Sequence, residues 1–186
     1  MRARGKSVHC QIRLERHDSG TFEMRRRLLQ AEVDFLSRYF GNTLDTDSIR
    51  LAATRGRRAY SIRSTHIRLP RYCFVNLDTA APVNLLNPLT AAILVHEATH
   101  VWQRQSGLWV TLRGTLLQLG DQCGMDPYAY DRAESNPLKM LSQFLRGNIE
   151  QQGQIVEDLV FSELTGRQTL QFSEVRAYLL GSQSSR

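Results

Sequence analysis

Lysine is nearly missing from this 186-residue chain: Lys6 and Lys139 are the only two among 24 basic residues, the other 22 being arginine. Cysteine is scarce too. Cys10, Cys73 and Cys123 are widely spaced and form no C-x-x-C pair, which excludes a zinc ribbon and argues against a disulfide framework. No apolar run comes near the ~18 residues of a membrane helix, since stretches such as Ala91 to Val95 end after a few positions. The N-terminal Met1-Arg2-Ala3-Arg4-Gly5-Lys6 has the charge of a signal peptide, but Val8-His9-Cys10-Gln11 turns polar where an apolar core should follow. The expectation is a protein that is cytoplasmic as synthesised and that leaves, if at all, through a dedicated machine. Internal repeats and low-complexity blocks are absent, and no histidine follows His100.

The composition that remains is globular, with 41% hydrophobic and 23% charged residues. That is one domain's worth of chain, long enough to bury a core without metals or disulfides as scaffolding. The net charge of +6 is unevenly spread: residues 1–71 hold 16 basic and 7 acidic side chains, whereas residues 72–186 hold 8 and 11. A basic half suits an anionic partner such as nucleic acid, a lipid surface or an acidic protein, or else a solvated arginine-rich face. Aromatic residues that could stack bases are sparse there, limited to Tyr60, Tyr72 and Phe74.

Residues 1–45 read as an N-terminal arm and a helix, 46–181 as the main domain, and 182–186 as a frayed tail. A short strand is possible around Gln11 to Leu14. The apolar stripe Phe22, Leu28, Leu29, Val33, Phe35, Leu36, Tyr39 and Phe40 predicts a helix over 21–40, stopped by Gly41, with Arg25-Arg26-Arg27 on a solvated face. Alternation predicts strands at 49–52, 60–63, 66–69 and 72–75, forming a small antiparallel sheet with arginine-rich outward positions. Asn87-Pro88 opens a helix to about Gln105, ended by Gly107. Further helices are expected near 109–119, 137–145, 149–164 and 173–180, with a loop at 120–130. The fold class is therefore α+β.

Within the 88–105 helix stands His96-Glu97-Ala98-Thr99-His100, an H-E-x-x-H. Two histidines four residues apart lie about 40° from each other on a helix, so both imidazoles can reach one Zn²⁺. Glu97 sits beside the pair and can reach water on the metal, the position of a general base in hydrolysis. A helix as apolar as Ala91 to Val95 should be buried, and buried His and Glu need partners that a metal supplies together. A third protein ligand is required. Gln103 and Ser106 stand where the longer H-E-x-x-H-x-x-G-x-x-H would need Gly and His, so that class is excluded. Candidates are Glu150 and Glu157 on one face of a later helix, the upstream His66, or Asp126, Asp131 and Glu134. Gly153, between the two glutamates, favours close approach of that helix to the metal-binding one. An oxyanion stabiliser could come from Tyr128, Tyr130 or His66, and Tyr130 is assigned that role together with Glu97 as base. Trp102 reads as core or cleft wall, and Cys123 lacks a paired base.

Residues 95–105, Val-His-Glu-Ala-Thr-His-Val-Trp-Gln-Arg-Gln, resemble the active helix of small gluzincin-type metallopeptidase domains, in particular those of bacterial type VI secretion and contractile injection loci, the Vgr-related proteins among them. Asn148 to Val156 resembles the glutamate-bearing helix of that family, with Gln154 where gluzincins at large carry an aspartate behind a metal-bound histidine. The resemblance spans about residues 45–165. It implies a minimal zincin-like fold and a zinc metallopeptidase with Zn²⁺ on His96, His100 and Glu150. The substrate would be a protein or a peptidoglycan peptide. The partners would be secretion-apparatus components or an immunity protein, and export would be by the contractile system. The rival readings are a zinc-fold accessory module without activity and an arginine-rich, nucleic-acid-associated protease.

Overall fold

The structure is a computed structural model that describes residues 13–16, 22–54, 56–63, 65–107 and 128–181, with side chains from Arg25 onward. The helix expected at 109–119, most of the 120–130 loop, Cys10, Cys123, Asp126, Trp109 and the tail lie outside these residues. Five strands form one sheet in the order β1-β2-β3-β5-β4. They are β1 Arg13–Arg16, β2 Phe22–Arg27, β3 Arg50–Thr54, β4 Tyr60–Ile62 and β5 His66–Pro70. Among the described residues five α-helices accompany them: α1 Gln30–Phe40, α2 Pro88–Gln105, α3 Pro137–Arg146, α4 Ile149–Leu164 and α5 Ser173–Leu179. The class is α+β, as expected.

Three expectations need correction. The first half of the 21–40 helix is strand β2, antiparallel to both β1 and β3, and the helix begins only at Gln30. The reason is Arg26. It points inward and forms a two-pronged ion pair with Glu32 at 2.7 Å, so the triplet is not one solvated face. Second, the sheet is mixed. The chain leaves β3 for the far edge as β4 and returns between the two as β5, which makes β5 antiparallel to β4 but parallel to β3. Third, Tyr72 to Val75 is no strand. Two short 3₁₀ turns, Arg71–Cys73 and Val75–Leu77, replace it around a single bridge from Phe74 to Val83. Asn76 and Leu77 both have positive φ, which a strand does not permit.

The helix starts follow sequence rules. The Asn87 side chain accepts from Leu89 N–H, Asn136 from Leu138 and Lys139, and Asn148 from Glu150 and Gln151. Gln151 completes a capping box by accepting from Asn148 N–H at 2.9 Å. Gly107 and Gly166 take positive φ just past the ends of α2 and α4, where residues with a Cβ would be strained. Leu51, Ile67 and Leu69 face the helices and join Leu94, Val95, Ala98 and Val101 of α2 in one core, which also takes in Phe35, Leu36, Tyr39 and Phe40 of α1. Alternate strand positions Arg25, Arg27, Arg50 and Arg68 share the opposite face with His66. No helix of the described residues is long and apolar enough to cross a membrane.

The Arg26–Glu32 pair joins three segments. Glu32 also accepts from Leu29 N–H and Val83 N–H, both at 2.8 Å, and Arg26 donates to Ala81 C=O at 2.9 Å. Removing one member strands a buried charge, which typically costs about 3–5 kcal/mol. Glu32→Ala should lose that much in urea unfolding, while Arg26→Met with Glu32→Leu should recover most of it. A loss below about 1 kcal/mol for Glu32→Ala would show that the pair is not what holds β2 to α1.

Candidate metal centre

The long α2 helix turns His96 and His100 toward α4, and both side chains are nearly buried. Their rings meet edge to face at 4.9 Å between centroids. Glu150, in the first turn of α4, enters from the other side. Its Oε2 lies 3.3 Å from His100 Nε2 and 3.7 Å from His96 Nε2. One donor atom from each of His96, His100 and Glu150 falls within 4.8 Å of the other two. Ligands about 2.0–2.2 Å from a tetrahedral zinc sit roughly 3.3–3.5 Å from one another. Two nitrogens and a carboxylate oxygen at the spacings found here therefore suit zinc with little adjustment. Among the described residues this is the one such grouping.

Gly153 makes the approach possible. A Cβ at that position would lie 3.0 Å from His96 Cε1 and Nε2, tighter than nearly all real contacts, so the ring would have to give way by a few tenths of an ångström. His96 packs directly on the α4 backbone, as the glycine in the sequence suggested.

The surroundings of the histidines differ from expectation. Gln154, where gluzincins at large carry an aspartate behind a histidine, donates instead to Asp158 Oδ1 at 3.1 Å. Glu157, a candidate third ligand, places Oε2 2.8 Å from His96 Nδ1. That contact has the length of a hydrogen bond but not its alignment, and Nδ1 has no other partner. Asp158 is engaged too, accepting from Tyr130 OH at 2.6 Å and Arg132 Nε at 2.9 Å. Behind His100, Nδ1 lies 2.9 Å from Oε1 of the fully buried Gln103, a residue whose place in the motif spacing marks only the absence of a glycine.

Glu97 is buried beside the pair and its Oε2 has no hydrogen-bond partner. Burial raises its pKa, and the charges of His96 and His100 and a hydrogen bond with Ser61 pull the other way. Arg104, one turn beyond His100, donates to Ser61 Oγ at 2.8 Å and to Ser61 C=O at 3.2 Å. Ser61 of edge strand β4 thus stands between Arg104 and the Glu97 carboxylate. Burial alone would lower the His96 pKa, but Glu150, Glu157 and Glu97 outweigh it and push the pKa up to about 10. Burial likewise opposes ionisation of Glu150, yet His100 and His96 hold it below the usual carboxylate range. The pocket thus carries more negative charge than its two imidazoles can balance neutrally. That surplus and the orphaned Glu97 Oε2 are what a divalent cation would satisfy.

The remaining candidates are not brought in. His66 lies on the far face of the sheet, with Nδ1 2.8 Å from Thr65 Oγ1. Asp131 and Glu134 accept from loop N–H groups of Ala133 and Asn136. The Tyr130 hydroxyl is spent on Asp158, which together with burial raises its pKa. Tyr128 is the loop tyrosine nearer the metal ligands, its ring 6.4 Å from that of His96. Trp102 packs in the core against Phe144 and Tyr178.

No protein-family model matches the chain, and no solved structure matches it. Among curated proteins it is similar to the type VI secretion system spike protein VgrG2b of Pseudomonas aeruginosa. Identity is 33% over 141 residues, which is 73% of this chain. The chain spans about an eighth of that protein, the match covering 13% of its length.

Gly153→Ala separates the helix from the site. Alanine favours a helix interior by about 1 kcal/mol, which offsets the displacement of the His96 ring, so the apo protein should remain folded. Zinc binding measured by chelator competition should weaken at least about tenfold, because the new methyl meets His96 Nε2. Unchanged affinity would mean that His96 Nε2 does not face the metal.

Proposed function

We propose that this chain is a zinc-dependent metallopeptidase domain associated with a bacterial type VI secretion system. The observation that carries the proposal is the convergence of His96, His100 and Glu150 beside a buried, incompletely bonded Glu97. The likeness to a spike protein of such a system supports the association with the apparatus. His96, His100 and Glu150 would hold the metal. Bound there, zinc supplies a Lewis acid that acidifies water and polarises a carbonyl.

The chain's own groups do the rest. Glu97 takes a proton from water and passes it to the leaving amine, and its burial raises its proton affinity toward that task. Arg104, through Ser61, holds that carboxylate in place. A loop tyrosine would donate to a developing oxyanion, either Tyr130 or Tyr128, whose ring lies 6.4 Å from that of His96. The substrate class is a peptide bond, in a protein or in a peptidoglycan stem, and delivery would be by the contractile apparatus.

Glu97→Gln tests this directly. The variant should keep one zinc per chain and lose peptide hydrolysis by about 10²–10⁴-fold, the usual worth of a general base. His96→Ala should lose the zinc. Full hydrolysis by Glu97→Gln would sink the catalytic assignment. Stoichiometric zinc with no hydrolysis by the wild type would leave an accessory zinc module instead.

A further inference from the structure

Four hydrogen bonds behind His100 fix one another's direction. Phe144 C=O can only accept, so the group 3.0 Å from it must be the Gln152 amide nitrogen. That leaves Gln152 Oε1 facing Gln103 at 2.8 Å, where only the Gln103 nitrogen can donate to it. The second proton of the same nitrogen goes to Ile149 C=O at 3.1 Å. Gln103 Oε1 is therefore the atom turned to His100, 2.9 Å from Nδ1, and Nδ1 must carry the proton. The ring then offers its Nε2 lone pair toward Glu150. Two backbone carbonyls thus decide which nitrogen of His100 is free.

We propose that Gln103 is the positioning residue of the metal centre, setting two of its three ligands at once through His100 Nδ1 and the Ile149 carbonyl. This rests on the zinc reading above. Ile149 immediately precedes Glu150, so the bond to its carbonyl pins the first turn of α4 as the other end of the amide orients the imidazole. No other side chain of similar size does both. Glutamate would turn lone pairs toward Ile149 C=O and Gln152 Oε1, both of them acceptors. Leucine would strand the Nδ1–H in a place without solvent access. The two histidines are thereby backed differently: His96 by the Glu157 carboxylate and His100 by a neutral amide.

The test compares the wild-type chain with Gln103→Leu, Gln103→Glu and Gln152→Leu, using zinc alone as the probe. Loss of such backing typically weakens metal binding about 10–100-fold. Chelator competition should show that loss for both Gln103 variants, and a smaller one for Gln152→Leu, which sits one bond further out and serves if the Gln103 variants do not fold. Nitrogen-15 spectra of the zinc-loaded wild type should show a slowly exchanging ring proton on His100 Nδ1, lost in Gln103→Leu while the His96 ring signals stay. A purely structural role would not move that signal selectively. A Gln103→Leu affinity within twofold of wild type, or a proton found on His100 Nε2, overturns the proposal while leaving the zinc reading intact. A wild type that binds no zinc overturns both.

Discussion

The close approach of α4 to α2 at Gly153 is the constraint on which the site depends. No side chain separates the His96 ring from the α4 backbone, so the residues that share the Gly153 face of α4 converge on the same ring. Glu150, three residues earlier, reaches the Nε2 atoms of both histidines, and Glu157, four residues later, reaches Nδ1 of His96. One helical face thus supplies a metal ligand, the space for the imidazole and a carboxylate behind it. The Asn148 cap sets where α4 begins and so which turn Glu150 occupies. At that turn the amide dipoles favour a carboxylate.

Electrostatics point the same way as geometry. Three carboxylates, Glu97, Glu150 and Glu157, crowd two imidazoles in a buried site. Without a cation, His96 keeps a proton well above neutral pH. Arg104 is close enough to be felt by Glu97 and Glu150 but is tied to Ser61, so it does not fill the space among the ligands. A site that protonates a histidine to offset its carboxylates can exchange that proton for a divalent ion, whose one additional positive charge falls against the remaining carboxylates.

Most of this was legible in the chain itself. The H-E-x-x-H is read from helical spacing, and Asn-Pro pairs or Asn caps mark the starts of α2, α3 and α4 to the residue. Gly153 betrayed the close contact because glycine in a helix interior calls for a reason. What escaped depended on partners distant in sequence. Arg26 looks solvated until Glu32 is found beside it, and only their pairing breaks the apparent 21–40 helix. The parallel β3–β5 pairing follows from where the chain crosses the sheet, which alternation of residues does not encode. Glu157 rather than Gln154 backs His96 because three residues along a helix leave a net rotation of about 60°, enough to aim one side chain at His96 and the other at Asp158.

The basic balance of the first 71 residues takes on a different meaning once the register is known. Arg25, Arg27, Arg50 and Arg68 share the sheet face turned away from α2, and Arg27 lies directly opposite Arg50 across β2 and β3. Such like-charge pairs cost a few tenths of a kcal/mol, and they lower the His66 pKa beyond what its burial does. The same charges placed on the inner face would oppose cation binding at His96 and His100. Here the sheet and its apolar inner layer stand between them and α2. The inward arginine of β2 obeys the same logic. Arg26 reaches the core only because Glu32 neutralises it there.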